Sequence, residues 1–213
     1  MAALGLASVC APGLWPLARN LVTVLHEGGH GIIALLTGRQ LSGIRLHSDT
    51  SGLTTSRGKP RGLGMILTLF AGYPAASAAG LGAAFLLSRG LPLAVLWLLL
   101  ALMALMLLKI RNFYGLWVIL VLGTGIFALT WWANAQVQLA AAYAITWFLL
   151  FSGPRPVLEM AAQRRRQRTN RTSDADQLGR LTWLPAPVWV AIFLIVTASA
   201  TVGGSYLLVD PLL

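Results

Sequence analysis

The chain has 213 residues, of which 57% are hydrophobic and only 10% are charged, and its formal net charge is +10. A water-soluble domain usually carries about 25% charged residues, so this composition excludes an ordinary soluble fold and predicts an integral protein of the cell membrane. The single cysteine excludes a disulfide framework. The positive charge lies between apolar segments, as in membrane proteins, and does not indicate a nucleic-acid partner.

Six apolar stretches are long enough, or nearly so, to cross a membrane as helices. They cover approximately residues 14–37, 63–87, 91–108, 113–132, 137–151 and 185–209. Lipid cannot satisfy free backbone polar groups, so each stretch is expected to be helical. Residues 1–13 are also apolar, but "CAPG" predicts a break, so this segment is expected at the interface or partly inserted. The predicted fold is an all-α polytopic membrane protein with about six transmembrane helices, forming one domain over residues 1–213.

The first loop contains the one segment with a strand pattern. In "LSGIRLHSDTSGLTTS", apolar and polar residues alternate around glycine and turn residues. This alternation is typical of a β-hairpin. We expect a small hairpin at the membrane surface, on the cytoplasmic side.

Nearly all of the 16 lysines and arginines lie in the first, third and fifth loops. The positive-inside rule places these basic loops in the cytoplasm and both termini outside. The strongly basic fifth loop, 153–183, begins with "GPRP", which predicts a break. It continues as "VLEMAAQRRRQR", which indicates either a basic amphipathic helix facing anionic headgroups or a simple orientation signal.

The first span contains "HEGGH", in which His26 and His30 project from one helix face because they are four residues apart. This is the HExxH arrangement, in which two imidazoles bind zinc and the glutamate acts as a base. Ionisable groups inside a membrane are costly and usually functional. The motif therefore predicts a bound Zn²⁺ that lowers the pKa of a water molecule to about 7. Glu27 is the predicted general base for that water.

A third ligand is expected from the few acidic residues of the chain. Besides Glu27 they are Asp49, Glu159, Asp174, Asp176 and Asp210. Asp174 and Asp176 precede the last span on the predicted cytoplasmic side, near the end of the first span that carries His30. The segment "TSDADQL" is equally typical of a capped helix start with acids in its first turn. Glu159 is expected to pair with arginine, and Asp210 is expected on the outer side. His47 and Asp49 in the hairpin are lesser candidates, since a turn accounts for them.

The stretch "HEGGHGIIALLTGRQLSGIRLHSDTSGLTT" resembles the site-2 protease family of intramembrane zinc metalloproteases, and in particular the B-like branch of metallopeptidase family fifty. Three later elements follow in the order of that branch: Gly72 and Tyr73; Arg111, Asn112 and Gly115; and Ser173, Asp174, Ala175, Leu178, Thr182 and Pro185. Better-known members carry a third zinc ligand in an Asp-Gly element, which this chain lacks. The resemblance implies Asp174 as that ligand, with Asp176 as the alternate.

The resemblance implies hydrolysis of peptide bonds within or beside a membrane, by a zinc-activated water with Glu27 as base. The expected partners are the lipid bilayer and a membrane protein or peptide substrate. Asn112 is a candidate to bind a substrate carbonyl or to cap a helix, and Tyr73 to line the cavity or to pack. Two alternatives remain: a zinc-dependent membrane hydrolase of a non-peptide substrate, and a catalytically silent metal-binding or regulatory membrane protein.

Overall fold

The computed structural model describes residues 1–11, 13–166 and 171–209, so residues 167–170 of the predicted basic loop lie outside it. Within these ranges the chain forms helices joined by short segments, and one hairpin, which confirms the predicted fold class. The elements are α1 (Ala2–Cys10), α2 (Trp15–Leu36), β1 (Gln40–Leu46), β2 (Gly52–Arg57), α3 (Leu63–Ser88), α4 (Pro92–Lys109), α5 (Phe113–Trp132), α6 (Ala135–Ser152), α7 (Pro154–Arg166), α8 (Asp174–Leu181) and α9 (Ala186–Val209).

Five segments of the described chain are long and apolar enough to cross a membrane. They are α3, α4, α5, α9 and the combined stretch Ala135–Arg166, which contains α6 and α7. Helix α2 has 22 residues, enough to span the hydrocarbon core, but it is not among the five because its charged and polar side chains lower its hydropathy. The helix that departs from the apolar pattern is thus the one that carries the HExxH motif.

The predicted break at "GPRP" is wrong. Helix α7 follows α6 after Gly153 alone, and Gly153 keeps helical dihedral angles, φ −60° and ψ −47°. Proline is compatible with the first turn of a helix, where its missing N–H has no partner to lose. The α6–α7 pair therefore continues along α3: Gly153 lies against Ser77, and Val157 shares an apolar cluster with Leu69.

The predicted first span is preceded by a separate short helix. Helix α1 packs lengthwise on α6, with Gly5 against Trp147. The expected break falls between α1 and α2, where Pro12 lies outside the described residues. Helix α2 then begins at Trp15, whose indole nitrogen donates a hydrogen bond to Glu159 of α7 at 2.8 Å. Residues 1–11 are therefore part of the helix bundle.

The hairpin folds back along α2 and so lies beside the HExxH motif. Strands β1 and β2 pair antiparallel from Gln40 opposite Arg57 to Leu46 opposite Gly52. The turn reaches Thr23 of α2, whose hydroxyl donates to the Thr50 carbonyl at 2.8 Å. The outer edge of β1 is covered by the segment after α4, through a bridge between Ile44 and Ile110. The outer edge of β2 has no strand partner in the described chain.

Helix α3 runs antiparallel to α2 and forms the centre of the bundle. The two helices approach closely at Gly29, where a Cβ atom would lie 2.8 Å from the Ala71 carbonyl oxygen. Helices α8 and α9 pack on the other side of α3, around Phe193 and Leu178, which are fully buried. This packing brings the start of α8 to the histidine face of α2.

Candidate active site

Three side chains predicted as metal ligands converge between α2 and α8. His26 Nε2 and His30 Nε2 are 3.1 Å apart, and each is 3.3 Å from Asp174 Oδ2. The two imidazoles meet because they lie one helical turn apart, and their rings are perpendicular. These residues form a group that could hold a metal ion in the described chain. Their donor set, two imidazoles and one carboxylate, is one that zinc accepts.

The His30 ring is fixed in orientation by α3. Its Nδ1 lies 2.6 Å from the carbonyl oxygen of Thr68. A carbonyl can only accept, so Nδ1 carries a proton, and in the neutral ring the lone pair is therefore on Nε2, which faces His26 and Asp174. Second partners of this kind fix the tautomer of metal-binding histidines. The His26 ring is held by an edge contact with Tyr73, with ring centroids 4.8 Å apart.

Asp176, the alternate ligand, is engaged elsewhere. Its carboxylate accepts hydrogen bonds from the Ser173 hydroxyl at 2.6 Å and from the Arg164 guanidinium, and with Ser173 it forms a capping box at the start of α8. Burial opposes its charge, but the bonds from Ser173 and Arg164 outweigh that effect and hold the pKa of Asp176 below its ordinary value. The two acids of "SDAD" thus divide the roles that the sequence left open: Asp176 completes the cap, and Asp174 faces the histidines.

Glu27 lies beside the histidines, 3% exposed, and is held by the hairpin. The Thr54 hydroxyl is 2.6 Å from Glu27 Oε2, and Gly52 leaves the space that the carboxylate occupies: a Cβ there would lie 2.7 Å from Glu27 Cδ. Thr54 and Gly52 were not among the predicted site residues. Their sequence pattern gave little indication of this role, because both residues belong to an ordinary hairpin pattern. They contact Glu27 only because the hairpin folds back along α2.

Gly72 was matched to a family motif, and its steric role becomes visible only in three dimensions. A Cβ atom on Gly72 would lie 2.5 Å from His30 Cε1 and 2.7 Å from His26 Cε1. Carbon atoms in contact are normally about 3.5–4.0 Å apart. Helix α3 therefore needs glycine here to admit both imidazoles.

A cavity of about 200 Å³ opens onto His26 and Glu27. Tyr73 and Gly52 line it, as does Glu159. The predicted pairing of Glu159 with arginine is confirmed, since Arg19 and Arg155 both contact its carboxylate.

Asn112 lies outside the cavity. Its side chain donates to the Leu46 carbonyl at 2.6 Å and accepts from the Leu46 amide at 3.2 Å, and it makes no capping hydrogen bond to α5. Asn112 therefore occupies the N-cap position of α5, as predicted, but its side chain does not cap the helix. Asp49 accepts two hydrogen bonds from Ser51 in the hairpin turn, as the turn pattern predicts, and Asp210 lies outside the described residues.

No match was found among curated proteins or among solved structures. The model of the family described as "Peptidase M50B-like" matches residues 1–204. This match covers nearly the whole chain, including His26, Glu27, His30 and Asp174. The chain therefore belongs to the M50B-like peptidase family.

Proposed function

We propose that the protein is an intramembrane zinc metalloprotease that hydrolyses peptide bonds of membrane-associated substrates. His26, His30 and Asp174 are the proposed zinc ligands, and Glu27 is the proposed general base. One observation carries the proposal: two imidazole nitrogens and one carboxylate oxygen lie 3.1–3.3 Å apart, next to a buried glutamate, among helices apolar enough to cross a membrane.

The spacing of these atoms fits zinc. Zinc–nitrogen and zinc–oxygen bonds are about 2.0–2.2 Å long, so tetrahedral ligands lie about 3.3–3.5 Å apart. The three atoms nearly meet this requirement, and a zinc ion held by these three ligands would have a further position available for water or substrate. When bound, zinc would lower the pKa of such a water to about 7 and polarise the scissile carbonyl.

Glu27 would receive a proton from the attacking water and pass it to the leaving amine. The Thr54 hydroxyl, 2.6 Å from Glu27 Oε2, holds the Glu27 carboxylate in place at the cavity that His26 also lines. Asp174 supplies negative charge that balances the divalent ion, and the Thr68 carbonyl keeps the lone pair of His30 Nε2 available. Tyr73 is the proposed wall against which the substrate packs.

The substrate would bind in extended form, because the carbonyls of a helix are engaged in hydrogen bonds. The open edge of β2 can accept such a strand by β-addition, and Gly52 and Thr54 of this strand lie against Glu27. Asn112 would affect substrate binding indirectly, by positioning the sheet, because its side chain makes two hydrogen bonds to the backbone of Leu46 at the end of β1.

The proposed orientation of the chain in the membrane rests on the distribution of lysine and arginine. The loop between α2 and α3 and the segment around α7 and α8 carry most of the basic residues, so we propose that both face the cytoplasm in the cell membrane. Water would then reach the ligand set from the cytoplasmic side.

The test is zinc content and cleavage, measured on the same detergent-purified samples. Wild type should contain one zinc ion and cleave a labelled transmembrane peptide library. Glu27→Gln should keep zinc and lose at least about 100-fold in rate, since a general base contributes roughly 10²–10⁴. Asp174→Asn should lose zinc. Cleavage by Glu27→Gln at the wild-type rate would refute the mechanism.

A parallel incubation with labelled lipids distinguishes the alternatives. Lipid hydrolysis without peptide cleavage would indicate a non-peptide hydrolase. Stoichiometric zinc with no turnover of either library would indicate a silent metal-binding protein.

A further inference from the structure

Two adjoining cavities follow the crevice between α2 and α3, on the side of α2 that faces away from Asp174. The first is a groove of about 540 Å³ in which Thr37 is the only polar side chain among the lining residues, and Gly28 and Gly29 form part of its wall. The second is a pocket of about 470 Å³ at the end of α2. Thr37 lines both cavities, so the apolar groove lies next to a second pocket of different character.

The second pocket is basic. Arg39, Lys59 and Arg61 line it, and Arg39 is only 8% exposed. The Arg39 guanidinium donates to the Ser56 hydroxyl at 3.0 Å and to the Lys59 carbonyl at 2.6 Å, both neutral acceptors. No salt bridge to Arg39 occurs in the described part of the chain. A buried charge without a counter-charge is costly, so the pocket is suited to an anion.

The groove is suited to hydrocarbon. Its volume is within the range of about 300–1,000 Å³ typical of small-molecule sites. Leu36 at one rim is 76% exposed and Leu63 at the head of α3 is 71% exposed, as expected for side chains that face lipid. Phosphate presents several acceptor oxygens that match the donors of arginine.

We propose that the α2–α3 crevice is a binding site for an anionic phospholipid. One acyl chain lies in the apolar groove, and the headgroup phosphate contacts Arg39, Lys59 and Arg61. Anionic lipids attract basic side chains at the cytoplasmic leaflet, which is the side on which the charge pattern places this loop. The site is separate from the ligand set, because α2 turns His26 and Glu27 to one cavity and Gly28 and Gly29 to the other.

The experiment is native mass spectrometry of the detergent-purified full chain with added phosphatidylglycerol or phosphatidylcholine of the same acyl chains. Wild type should retain phosphatidylglycerol in preference. Lys59→Gln/Arg61→Gln changes two exposed side chains and should bind phosphatidylglycerol roughly 30-fold more weakly. Arg45→Gln/Arg89→Gln removes the same charge from exposed positions outside the pocket and should bind as wild type does. Ala78→Leu, at an exposed groove position, should weaken binding of both lipids.

Three results would overturn the proposal. The first is equal retention of the two lipids by wild type, and the second is unchanged phosphatidylglycerol binding in both Arg39→Gln and the double variant. The third is thermal stabilisation by inorganic phosphate as large as that by phosphatidylglycerol, which would mean that the pocket recognises a free anion. None of these readouts depends on zinc or on cleavage, so the lipid site and the proposed function can fail separately.

Discussion

Replacing Gly72 with alanine should weaken zinc binding about 10–100-fold while the protein remains folded. The new methyl group would lie 2.5 Å from His30 Cε1 and 2.7 Å from His26 Cε1. Against a normal carbon–carbon separation of about 3.5 Å, both rings would have to move by about 1 Å. Neither imidazole ring can move by this distance without losing a contact, because His30 is bound to the Thr68 carbonyl and His26 packs on Tyr73.

The magnitude follows from this displacement. A misplacement of about 1 Å in a catalytic group costs about 100-fold in rate, and disturbance of groups that orient metal ligands costs about 10–100-fold in metal affinity. Helix propensity acts in the opposite direction, since alanine favours a helix over glycine by up to about 1 kcal/mol. A loss of zinc in Gly72→Ala therefore cannot be attributed to a weakened helix.

The assay combines zinc content, cleavage of a transmembrane peptide and thermal unfolding. Gly82→Ala is the matched control, because it lies on the same helix, is exposed, and a Cβ there meets nothing within 4 Å. Gly82→Ala should match wild type in zinc and rate, with equal or slightly higher Tm. Wild-type zinc stoichiometry and rate in Gly72→Ala would refute the steric reasoning.

Three further predictions concern the residues around the ligand set. Thr54→Val should lower kcat about 10–100-fold, because a hydrogen bond to a charged group contributes about 1.5–3 kcal/mol, whereas Thr54→Ser should stay near wild type; equal rates for the two would exclude the hydroxyl as the cause. Asp176→Asn should destabilise the protein by about 1–3 kcal/mol, because the bonds to Arg164 and Ser173 are weakened or lost, and this should be measured as a lower Tm. The variant should still bind zinc. Loss of zinc with an unchanged Tm would reverse the roles given to Asp176 and Asp174. Removing metal with a chelator should abolish cleavage and lower the Tm, since a ligand bound to the native state stabilises it, and added zinc should restore both; full cleavage by metal-free protein would contradict the proposed reaction.

Local sequence patterns were sufficient to predict the helical fold class and the close approach of two of the proposed metal ligands. Composition indicated a membrane protein because the chain has too few charged residues to cover a water-facing surface. The meeting of His26 and His30 also follows from sequence alone, since helical geometry brings residues four apart together whatever surrounds them. The hairpin was predicted correctly for the same reason, as alternation and turn residues act over short distances.

Sequence patterns that are compatible with two different structures were not sufficient to predict which of the two forms. The "GPRP" segment was interpreted as a break, but proline also fits a helix start, and packing on α3 keeps α7 in line with α6. The path of the hairpin was likewise not encoded locally, since its contacts with Thr23 and Glu27 join residues 27 positions apart in the chain.

The sequence by itself determined that His26, Glu27 and His30 would lie within one turn of a helix, and that this helix would be surrounded by apolar helices. Only the tertiary structure decided which aspartate faces that helix: Asp174 and Asp176 are about 200° apart around α8, so one must turn away when the other turns in. The packing of α8 against α3 and α9 fixes that rotation. It is also the close approach of α3 that makes Gly72 indispensable, because steric exclusion depends on neighbours that the chain acquires only on folding.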